Sequence, residues 1–419
     1  MHDTDARVAF LDWLRSHGAY VHLSLYFRHN EKDGWGLYTR DVLGEATEAM
    51  RIPRSIVLHP MIAHQKLCQG LRVNDGYETL CPREWMLLYL VIQRVLSEKT
   101  LTGGTMTILG AHIPYIRIFP TSMLTPLHYS TSELSLLEGT TLYHGAIQRR
   151  EASKLSSERA KDWLVSAMTS ASDDQIRLLL TWIGEIDWHS AWLWAEDGYA
   201  SRSFPPQVAG WPQGDEPILI PGFDALNHRR AEPVTWSFRE PALAVFTLRR
   251  AYSQGEQVYN NYGAKSNEEL CSSYGFVEPD GPDDLLALAL RSNADDAAGV
   301  FYWPQNQTEP PSALLVRLRE HVGPTAETGR VARLLLEVQV MEMLEKMLRQ
   351  RRKAFRLTQR EVEDAVPFKN ESDFVRESVL YVIRTYRDAQ ASMLNKKIQW
   401  VQAELDRLLD ELEHEGWTP

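Results

Sequence analysis

The sequence predicts an α+β protein: a β-rich core split by a helical insert and followed by an all-α C-terminal domain. Alternating apolar residues, which are typical of strands, occur before about residue 66 and again between residues 196 and 280. The stretch between them and the stretch after residue 280 have helical apolar spacing. We therefore predict four parts: 1–66 (an N-terminal helix and the first half of the core), 67–195 (the insert), 196–280 (the second half of the core) and 281–419 (the helical C-terminal domain).

The first half of the core begins with a predicted helix at Asp5–His17, whose apolar residues recur at helical spacing until Gly18 ends it. Short strands are predicted after it, and strand-like texture returns beyond the insert. The predicted strands are Val21–Phe27, Leu37–Thr39, Ser55–Leu58, Pro217–Ile220 and Ala242–Leu248.

The insert and the C-terminal part have apolar residues spaced as in amphipathic helices. The segment 156–194 is interrupted near residues 170–174, so two helices are expected there. The predicted helices are Pro82–Ser97, Ser132–Leu142, the pair within 156–194, Asp283–Arg291, Pro311–His321, Val331–Phe355 and a long last helix over 372–415.

Charge and cysteine content exclude several classes of protein. The 45 basic and 56 acidic residues give a net charge of −11, whereas binding nucleic acid as the main partner needs a concentrated basic face. The three cysteines lie apart without a CxxC pair, which excludes an all-cysteine zinc site and favours a reducing compartment. Neither a signal core nor a membrane-length apolar run is seen. We expect a cytoplasmic or nuclear protein without a membrane partner.

Polar and aromatic residues near Pro221–Phe276 are the candidates for chemistry. Asn227-His228 follows one loop, Tyr262 ends a later one, and Gly34-Trp35-Gly36 lies far upstream in a turn. Each is weak by itself, because glycine turns, loop histidines and core tyrosines are common. No GxSxG or Walker loop is present, and no second histidine stands at metal-binding spacing, so we predict no metal. Cys271 faces inward on a predicted helix and is not expected to be a nucleophile.

The order of these pieces resembles the SET-domain protein methyltransferases, in the branch of the Rubisco large-subunit lysine methyltransferase. A GxG after a strand, a helical insert with PYIRIFP, then SRSF, DALNH, GEQVYNNYG and SSYGF follow one another as in that branch. The C-terminal helices, which contain Tyr386, resemble its substrate-binding domain. The branch acts on Rubisco, ribosomal and other non-histone proteins and, in one type, on an actin histidine.

The resemblance implies S-adenosylmethionine as the cofactor and a protein substrate presenting a lysine side chain to a monomeric enzyme. It assigns the catalytic phenol to Tyr262. It implies that the cofactor-binding residues are Asp33, Gly34, Trp35, Arg202, Asn227, His228, Tyr274 and Phe276, and that the substrate side involves Asp224, Phe204 and Tyr262.

One departure from the family and two alternatives qualify this assignment. Arg229-Arg230 follows Asn227-His228 where many SET proteins have Ser-Cys, and the zinc-binding cysteines that follow the SET core elsewhere are absent. This weakens a histone substrate, and we expect a non-histone one, such as a ribosomal or translation protein. A histidine acceptor is less favoured, because the aromatic wall offers no amide to orient an imidazole. A SET-like protein that has lost catalysis and binds other proteins is the alternative of a different class.

Overall fold

The computed structural model describes residues 3–31, 34–99, 105–169, 173–279, 281–290, 299–323, 329–355, 359–370 and 373–417. The chain forms two compact units, and each is built from two separate stretches of sequence. The first unit comprises Met1–Met123 and Arg150–Ala264, and the second comprises Leu124–Arg149 and Lys265–Pro419. The predicted division into four parts divides the chain along the sequence instead, and it stays a prediction.

The predicted α+β class is confirmed, with helices alternating with small antiparallel sheets. The helices are α1 (Asp3–Ser16), α2 (Pro60–Leu71), α3 (Pro82–Ser97), α4 (Thr105–Leu109), α5 (Ile113–Ile116), α6 (Thr131–Ser135), α7 (Thr141–Thr169), α8 (Asp174–Glu185), α9 (Trp188–Arg202), α10 (Asn267–Tyr274), α11 (Ser312–Val322), α12 (Arg330–Lys353), α13 (Gln359–Glu363) and α14 (Glu377–His414). The strands are β1 (Tyr20–Val21), β2 (Leu25–Asn30), β3 (Gly34–Thr39), β4 (Glu48–Pro53), β5 (Ser203–Phe204), β6 (Ile218–Leu219), β7 (Val234–Arg239), β8 (Leu243–Leu248), β9 (Gln257–Val258), β10 (Leu285–Leu290), β11 (Gly299–Pro304), β12 (Phe368–Lys369) and β13 (Phe374–Val375).

The described residues of the first unit form three sheets. One has four strands in the order β1-β4-β8-β7, another has three in the order β2-β3-β9, and β5 pairs with β6. β3 and β9 are far apart in the sequence, yet Leu37 lies opposite Val258 and Tyr38 opposite Gln257. This pairing brings the segment after β9, which carries Tyr262, next to the strand that carries Gly34-Trp35-Gly36.

α3 is the best-buried helix of the first unit's core. Most of its residues from Trp85 to Leu96 are buried, because the helix packs on α2, α5 and α9. It begins with Pro82 in its first turn, and the Glu84 side chain accepts a 2.9 Å hydrogen bond from the backbone N–H of Cys81. Both devices favour a helix start at this point, and the predicted bounds Pro82–Ser97 are confirmed.

The predicted helix at Asp283–Arg291 is wrong. Residues 285–290 form β10, whose residues Leu286, Leu288 and Leu290 are buried while the intervening residues are more exposed. Leu286 lies opposite Trp303 of β11. The sequence LLALAL consists of leucine and alanine, which both favour helices. Such a short apolar run does not distinguish a helix from a buried strand.

Four other predicted elements differ from the structure. Val21–Phe27 is not one strand, because β1 ends at Val21 and β2 begins at Leu25. Ser55–Leu58 is not a strand, because Arg54–Ile56 makes a tight turn that leads into α2, with His59 as its cap. Ser132–Leu142 is not one helix: α6 ends at Ser135, and Gly139 follows with a φ of +85°. The pair of helices expected within 156–194 is three, α7, α8 and α9.

The second unit is mainly helical and also contains the hairpins β10-β11 and β12-β13. Its larger core lies between α12, α14 and the buried face of β10-β11. A smaller core joins the segment 124–149 to α10 and the beginning of α14, through residues such as Leu134, Leu137, Cys271 and Ile383. Along the described residues, none of the helices combines the length and the apolar composition needed to cross a bilayer.

Candidate active site

The structure brings most of the predicted site residues into the first unit. These are Gly34, Trp35, Arg202, Phe204, Asp224, Asn227, His228 and Tyr262. Tyr274 and Phe276 belong to the second unit. Asp33 lies outside the described residues.

The glycine strand β3 and the amide of Asn227 are in direct contact. Asn227 Nδ2 donates a 3.2 Å hydrogen bond to the backbone oxygen of Trp35. A Cβ at Gly36 would clash with the Gln257 amide and lie 3.1 Å from Asn227 Nδ2. Any larger residue here would therefore have to displace the Gln257 amide, so the second glycine of the motif has a packing reason that the sequence did not reveal.

Two loop segments run side by side at the centre of the site. His228 and Asn260 form an isolated parallel bridge, and Asn260 N–H donates to the Asn227 backbone oxygen at 2.8 Å. Arg229 N–H in turn donates to the Asn260 oxygen at 2.9 Å. Because backbone bonds fix both loops, the side chains that follow each loop are held in register.

His228 is a fixed hydrogen-bond acceptor. Its Nδ1 accepts a 3.0 Å bond from the backbone N–H of Tyr262. A neutral imidazole has one protonated nitrogen, so the proton of the neutral ring resides on Nε2. The ring also stacks on the Tyr262 ring, with centroids 4.9 Å apart and planes inclined by 22°. The histidine thus positions both the backbone and the ring of Tyr262.

The phenol of Tyr262 is oriented by a backbone carbonyl. Its hydroxyl donates a 3.0 Å hydrogen bond to the Leu226 oxygen, one residue before Asn227. A phenol oxygen is an acceptor as well as a donor, so this group is of a type that can accept weak C–H···O contacts. A half-buried tyrosine that is held at its backbone, ring and hydroxyl by the same loop is well preorganised.

Arg202 at the end of α9 is paired with Asp224. Its Nη1 donates to the Asp224 backbone oxygen at 2.9 Å and to carboxylate Oδ2 at 3.0 Å. The Asp224 carboxylate is fully buried and also accepts from the Tyr115 hydroxyl at 2.8 Å and from Gly222 N–H at 3.2 Å. Asp224, predicted on the substrate side, therefore contacts the cofactor-side arginine in this structure.

Burial and pairing set the ionisation of this cluster. Burial raises the pKa of Asp224, and the charge and donors of Arg202 oppose that change. Burial disfavours the charge of Arg202, but Asp224 more than offsets this, so the pKa of Arg202 lies above its ordinary value. Burial also raises the pKa of Tyr115 well above its ordinary value, which keeps its hydroxyl a donor.

Sequence reasoning missed four residues around these groups: Arg7, Tyr115, Phe119 and Gln257. Arg7 of α1 lies over the Trp35 ring at 3.9 Å, and burial lowers its pKa to about 10. Phe119 lies under the Arg202 guanidinium at 4.5 Å. Tyr115 and Phe119 belong to the PYIRIFP connector, whose two aromatics are four residues apart, and that spacing was the available signal.

The remaining predicted residues are aromatic. Phe204 is buried and packs edge-on against Phe223 and Trp236, with centroids 5.9 and 5.2 Å away. Tyr274 and Phe276 of the second unit are half-buried, and their rings are 6.1 Å apart in an edge-to-face arrangement. Their roles at a cofactor or substrate stay predictions.

No group of three or more histidine, cysteine, aspartate or glutamate side chains among the described residues could hold a metal ion.

The chain is similar to curated protein methyltransferases. It is 24% identical to the ribosomal lysine N-methyltransferase set10 of Schizosaccharomyces pombe over 237 residues, which are 56% of this chain and 39% of the relative. It is 24% identical to the protein-lysine N-methyltransferase EFM1 of Saccharomyces cerevisiae, over 67% of this chain and 51% of that one. The Drosophila melanogaster actin-histidine N-methyltransferase is 26% identical over 62% of this chain and 47% of its own length. The chain thus spans between about two fifths and about half of these relatives.

The fold matches a solved SET domain over nearly all of the chain. The crystal structure of the SET domain of LSMT bound to methyllysine and AdoHcy superposes with a TM-score of 0.72, at 18% identity, over 97% of this chain and 94% of that one. No protein-family model matches the chain. The fold and relatives confirm the resemblance: this is a SET-domain fold of the Rubisco LSMT type, and the relatives are SET-domain methyltransferases.

Proposed function

We propose that this chain is an S-adenosylmethionine-dependent protein-lysine N-methyltransferase that acts on a non-histone protein. The observation that carries the proposal is the fixed phenol of Tyr262, which is bonded to Leu226 and stacked on His228, directly beside the Asn227 contact to the glycine strand. The names of the curated relatives support a ribosomal or translation protein as the substrate.

Buried polar atoms in the first unit fit the proposed cofactor. Among the described residues, Arg202 Nε and Gln257 Nε2 are buried without a hydrogen-bond partner. Unpaired buried donors are costly, so they suit a ligand that brings acceptors such as a carboxylate. Gly34, Trp35, Arg202, Asn227 and His228 would hold S-adenosylmethionine. When bound, it supplies a methyl group on a positively charged sulfur.

The chain's own residues must then align an uncharged amine. A free lysine has a pKa near ~10.4, so little neutral amine exists at neutral pH. Apolar, aromatic surroundings and a neighbouring positive charge both lower that pKa and favour the neutral nucleophile. No dedicated general base is required. Transfer of the methyl group from sulfur to nitrogen requires the amine, the methyl carbon and the sulfur to lie in line. Tyr262 would help to fix this alignment and would accept C–H···O contacts from the methyl group.

Replacing Tyr262 by phenylalanine tests this role. Tyr262→Phe removes the hydroxyl and its bond to Leu226 but keeps the ring on His228, so we expect turnover to fall roughly 10²-fold, a size typical of losing one preorganised polar group. Affinity for the donor, measured by calorimetry, should stay within about twofold. Methyl incorporation from labelled donor gives the rate. Full activity of the variant would refute the role.

A matched control is Tyr302→Phe. Tyr302 is 58% exposed on β11 of the second unit, so loss of its hydroxyl should leave both the rate and the donor affinity unchanged. An equal loss of rate in this variant would assign the effect to preparation or folding.

Lysine and histidine acceptors are separable by chemistry. The actin-histidine relative is the observation that favours a histidine. Incubation with labelled donor and a cell extract, followed by total hydrolysis and amino-acid analysis, distinguishes methyllysine from methylhistidine and shows the number of methyl groups. Mass spectrometry of the labelled band identifies the substrate.

The alternative of a binding module without catalysis makes a distinct prediction. A ligand that binds only the folded state must raise its melting temperature. No thermal shift at saturating S-adenosylmethionine would therefore favour the binding module. Two further properties are proposed here, a cytoplasmic or nuclear location and a monomeric state, and cell fractionation and light scattering test them.

A further inference from the structure

A basic groove lies between α12 and α14 in the second unit, and none of its lining residues is among those assigned above to the cofactor or the substrate. It has a volume of about 420 Å³, which is the size of a small-ligand site. Arg349, Arg352 and Lys353 of α12 line one side, and Asn395, Ile398 and Gln399 of α14 line the other.

The helix dipole explains only part of this arrangement. Arg351, Arg352 and Lys353 stand in the last turn of α12, where cations oppose the partial negative charge of the helix end. The dipole gives no reason for the facing amides of Asn395 and Gln399, which are one turn apart on α14. Within the described residues, the side chains of Lys353, Asn395 and Gln399 have no hydrogen-bonding or ionic partner.

The two arginines keep free bonding capacity as well. Arg349 bonds a single oxygen of Glu345 through Nε at 2.9 Å and Nη2 at 2.8 Å. Arg352 lies over the Phe355 ring at 5.5 Å. A guanidinium has five N–H donors, so both residues can still receive carboxylates. The described residues that line the groove include three cations and no carboxylate, and Glu345 pairs with Arg349 at its side.

We infer that this groove docks a short acidic peptide segment of a partner protein. Arg349, Arg352 and Lys353 would receive the carboxylates. The amides of Asn395 and Gln399 both donate and accept, which suits the alternating N–H and C=O groups of a peptide main chain. Buried Ile398 supplies an apolar floor.

A nucleic acid fits this groove less well. Its regularly spaced phosphates would have no use for the acceptor oxygens of the amides. A polyanion is also repelled by a chain of net charge −11 more strongly than a peptide with a few carboxylates. We therefore assign a peptide to the groove, and RNA is tested as a competing ligand.

Binding of a labelled hexaglutamate peptide to the full-length chain, followed by fluorescence anisotropy, tests the inference. Arg349→Glu should weaken binding about tenfold or more, because it replaces an attraction with a repulsion. Arg333→Glu is the matched control: Arg333 is an exposed arginine near the start of the same helix, and the charge change is the same. It should leave the affinity within about twofold.

A second variant keeps the net charge. Asn395→Ala with Gln399→Ala removes only the facing amides, and both residues are exposed, so folding, checked by circular dichroism, should be retained. We expect weaker peptide binding here too, and no binding of a neutral hexaglutamine peptide.

Three results would overturn the inference. They are no hexaglutamate binding at millimolar concentration, equal weakening by Arg333→Glu, or tighter binding of a 12-nucleotide RNA that Arg349→Glu abolishes. The measurement records binding without turnover. The peptide-binding result can therefore be interpreted even if the protein transfers no methyl group. Conversely, absence of peptide binding would not contradict the proposed methyl transfer.

Discussion

At the scale of single residues, the site depends on one buried carboxylate. Asp224 connects a helix end, a connector and a loop, because it accepts from Arg202, Tyr115 and Gly222 at once. Burying a carboxylate is costly unless it is paired and hydrogen-bonded. Each of the three donors therefore contributes more here than the same bond would on the surface.

Tyr115→Phe should expose this dependence. The variant keeps the ring, which packs against Phe10 and Phe119, but removes one donor from a carboxylate that water does not reach. A buried acceptor that loses a partner costs about 1–3 kcal/mol, which denaturant unfolding measures. If Asp224 then holds Arg202 less firmly, the affinity for S-adenosylmethionine also falls.

The control for Tyr115→Phe is Tyr302→Phe, whose hydroxyl is exposed and whose loss should change stability by less than about 0.5 kcal/mol. Equal stability of the two variants would show that the Tyr115 bond contributes nothing net.

At the scale of elements, the connection between α6 and α7 is set by one glycine. Gly139 has a φ of +85°, and a Cβ on it would overlap the backbone carbonyl of Ala354, just after α12. Side chains rarely adopt this conformation, and the neighbouring backbone cannot move aside like a flexible side chain. This turn is why the predicted helix over 132–142 divides.

Gly139→Ala should destabilise the fold by more than about 3 kcal/mol, since backbone strain and overpacking act together. Gly145→Ala is the matched substitution six residues later. A Cβ at Gly145 meets nothing within 4 Å, and the residue lies inside α7. Alanine there should stabilise by about 0.5–1 kcal/mol through its helix propensity. Thermal unfolding of both variants gives the comparison, and equal effects would contradict the argument.

At the scale of the whole chain, the second unit is assembled from distant parts of the sequence. Glu133 of α6 accepts from the backbone N–H of Arg376 at 2.8 Å and from its guanidinium at 2.9 and 2.7 Å. The Glu133 carboxylate is fully buried. This pair ties the segment 124–149 to the start of α14 across 243 residues.

Glu133→Gln should weaken that tie. The amide places an N–H₂ group where the guanidinium needs an acceptor, and hydrogen bonds to charged groups are worth about 1.5–3 kcal/mol each. We expect a loss of about 2–3 kcal/mol in denaturant unfolding. Glu320→Gln, in an exposed pair with Arg317 at 3.1 Å, should cost less than about 1 kcal/mol. A Glu133 variant as stable as the Glu320 variant would sink the assignment.

Long, strongly patterned segments were predictable from the sequence. α12 carries apolar residues at helical spacing. α3 carries an unbroken apolar run inside a 16-residue segment, which is longer than a typical strand. The run LLALAL was not predictable, because six residues fit a buried strand or a helix equally until β11 pairs with it. The same limit applies to the site, where Asn227, His228 and Tyr262 were predicted from the order of the motifs. Tyr115 and Gln257 also lie in quoted motifs, PYIRIFP and GEQVYNNYG, but nothing in those motifs indicates which groups the two side chains contact.

The α+β class and the resemblance to SET-domain methyltransferases were predictable from the sequence alone, because both depend on periodicity and on motif order along the chain. The site residues that the resemblance implies stay predictions. Three further features are visible only in the folded chain: Gly36 packs against two side-chain amides, Asp224 holds Arg202 and Tyr115, and residues 124–149 join the C-terminal helices. Each of these is a contact between groups from about 20 to more than 240 residues apart. Such contacts depend on which surfaces pack together in the folded chain, and a local sequence pattern does not predict that packing.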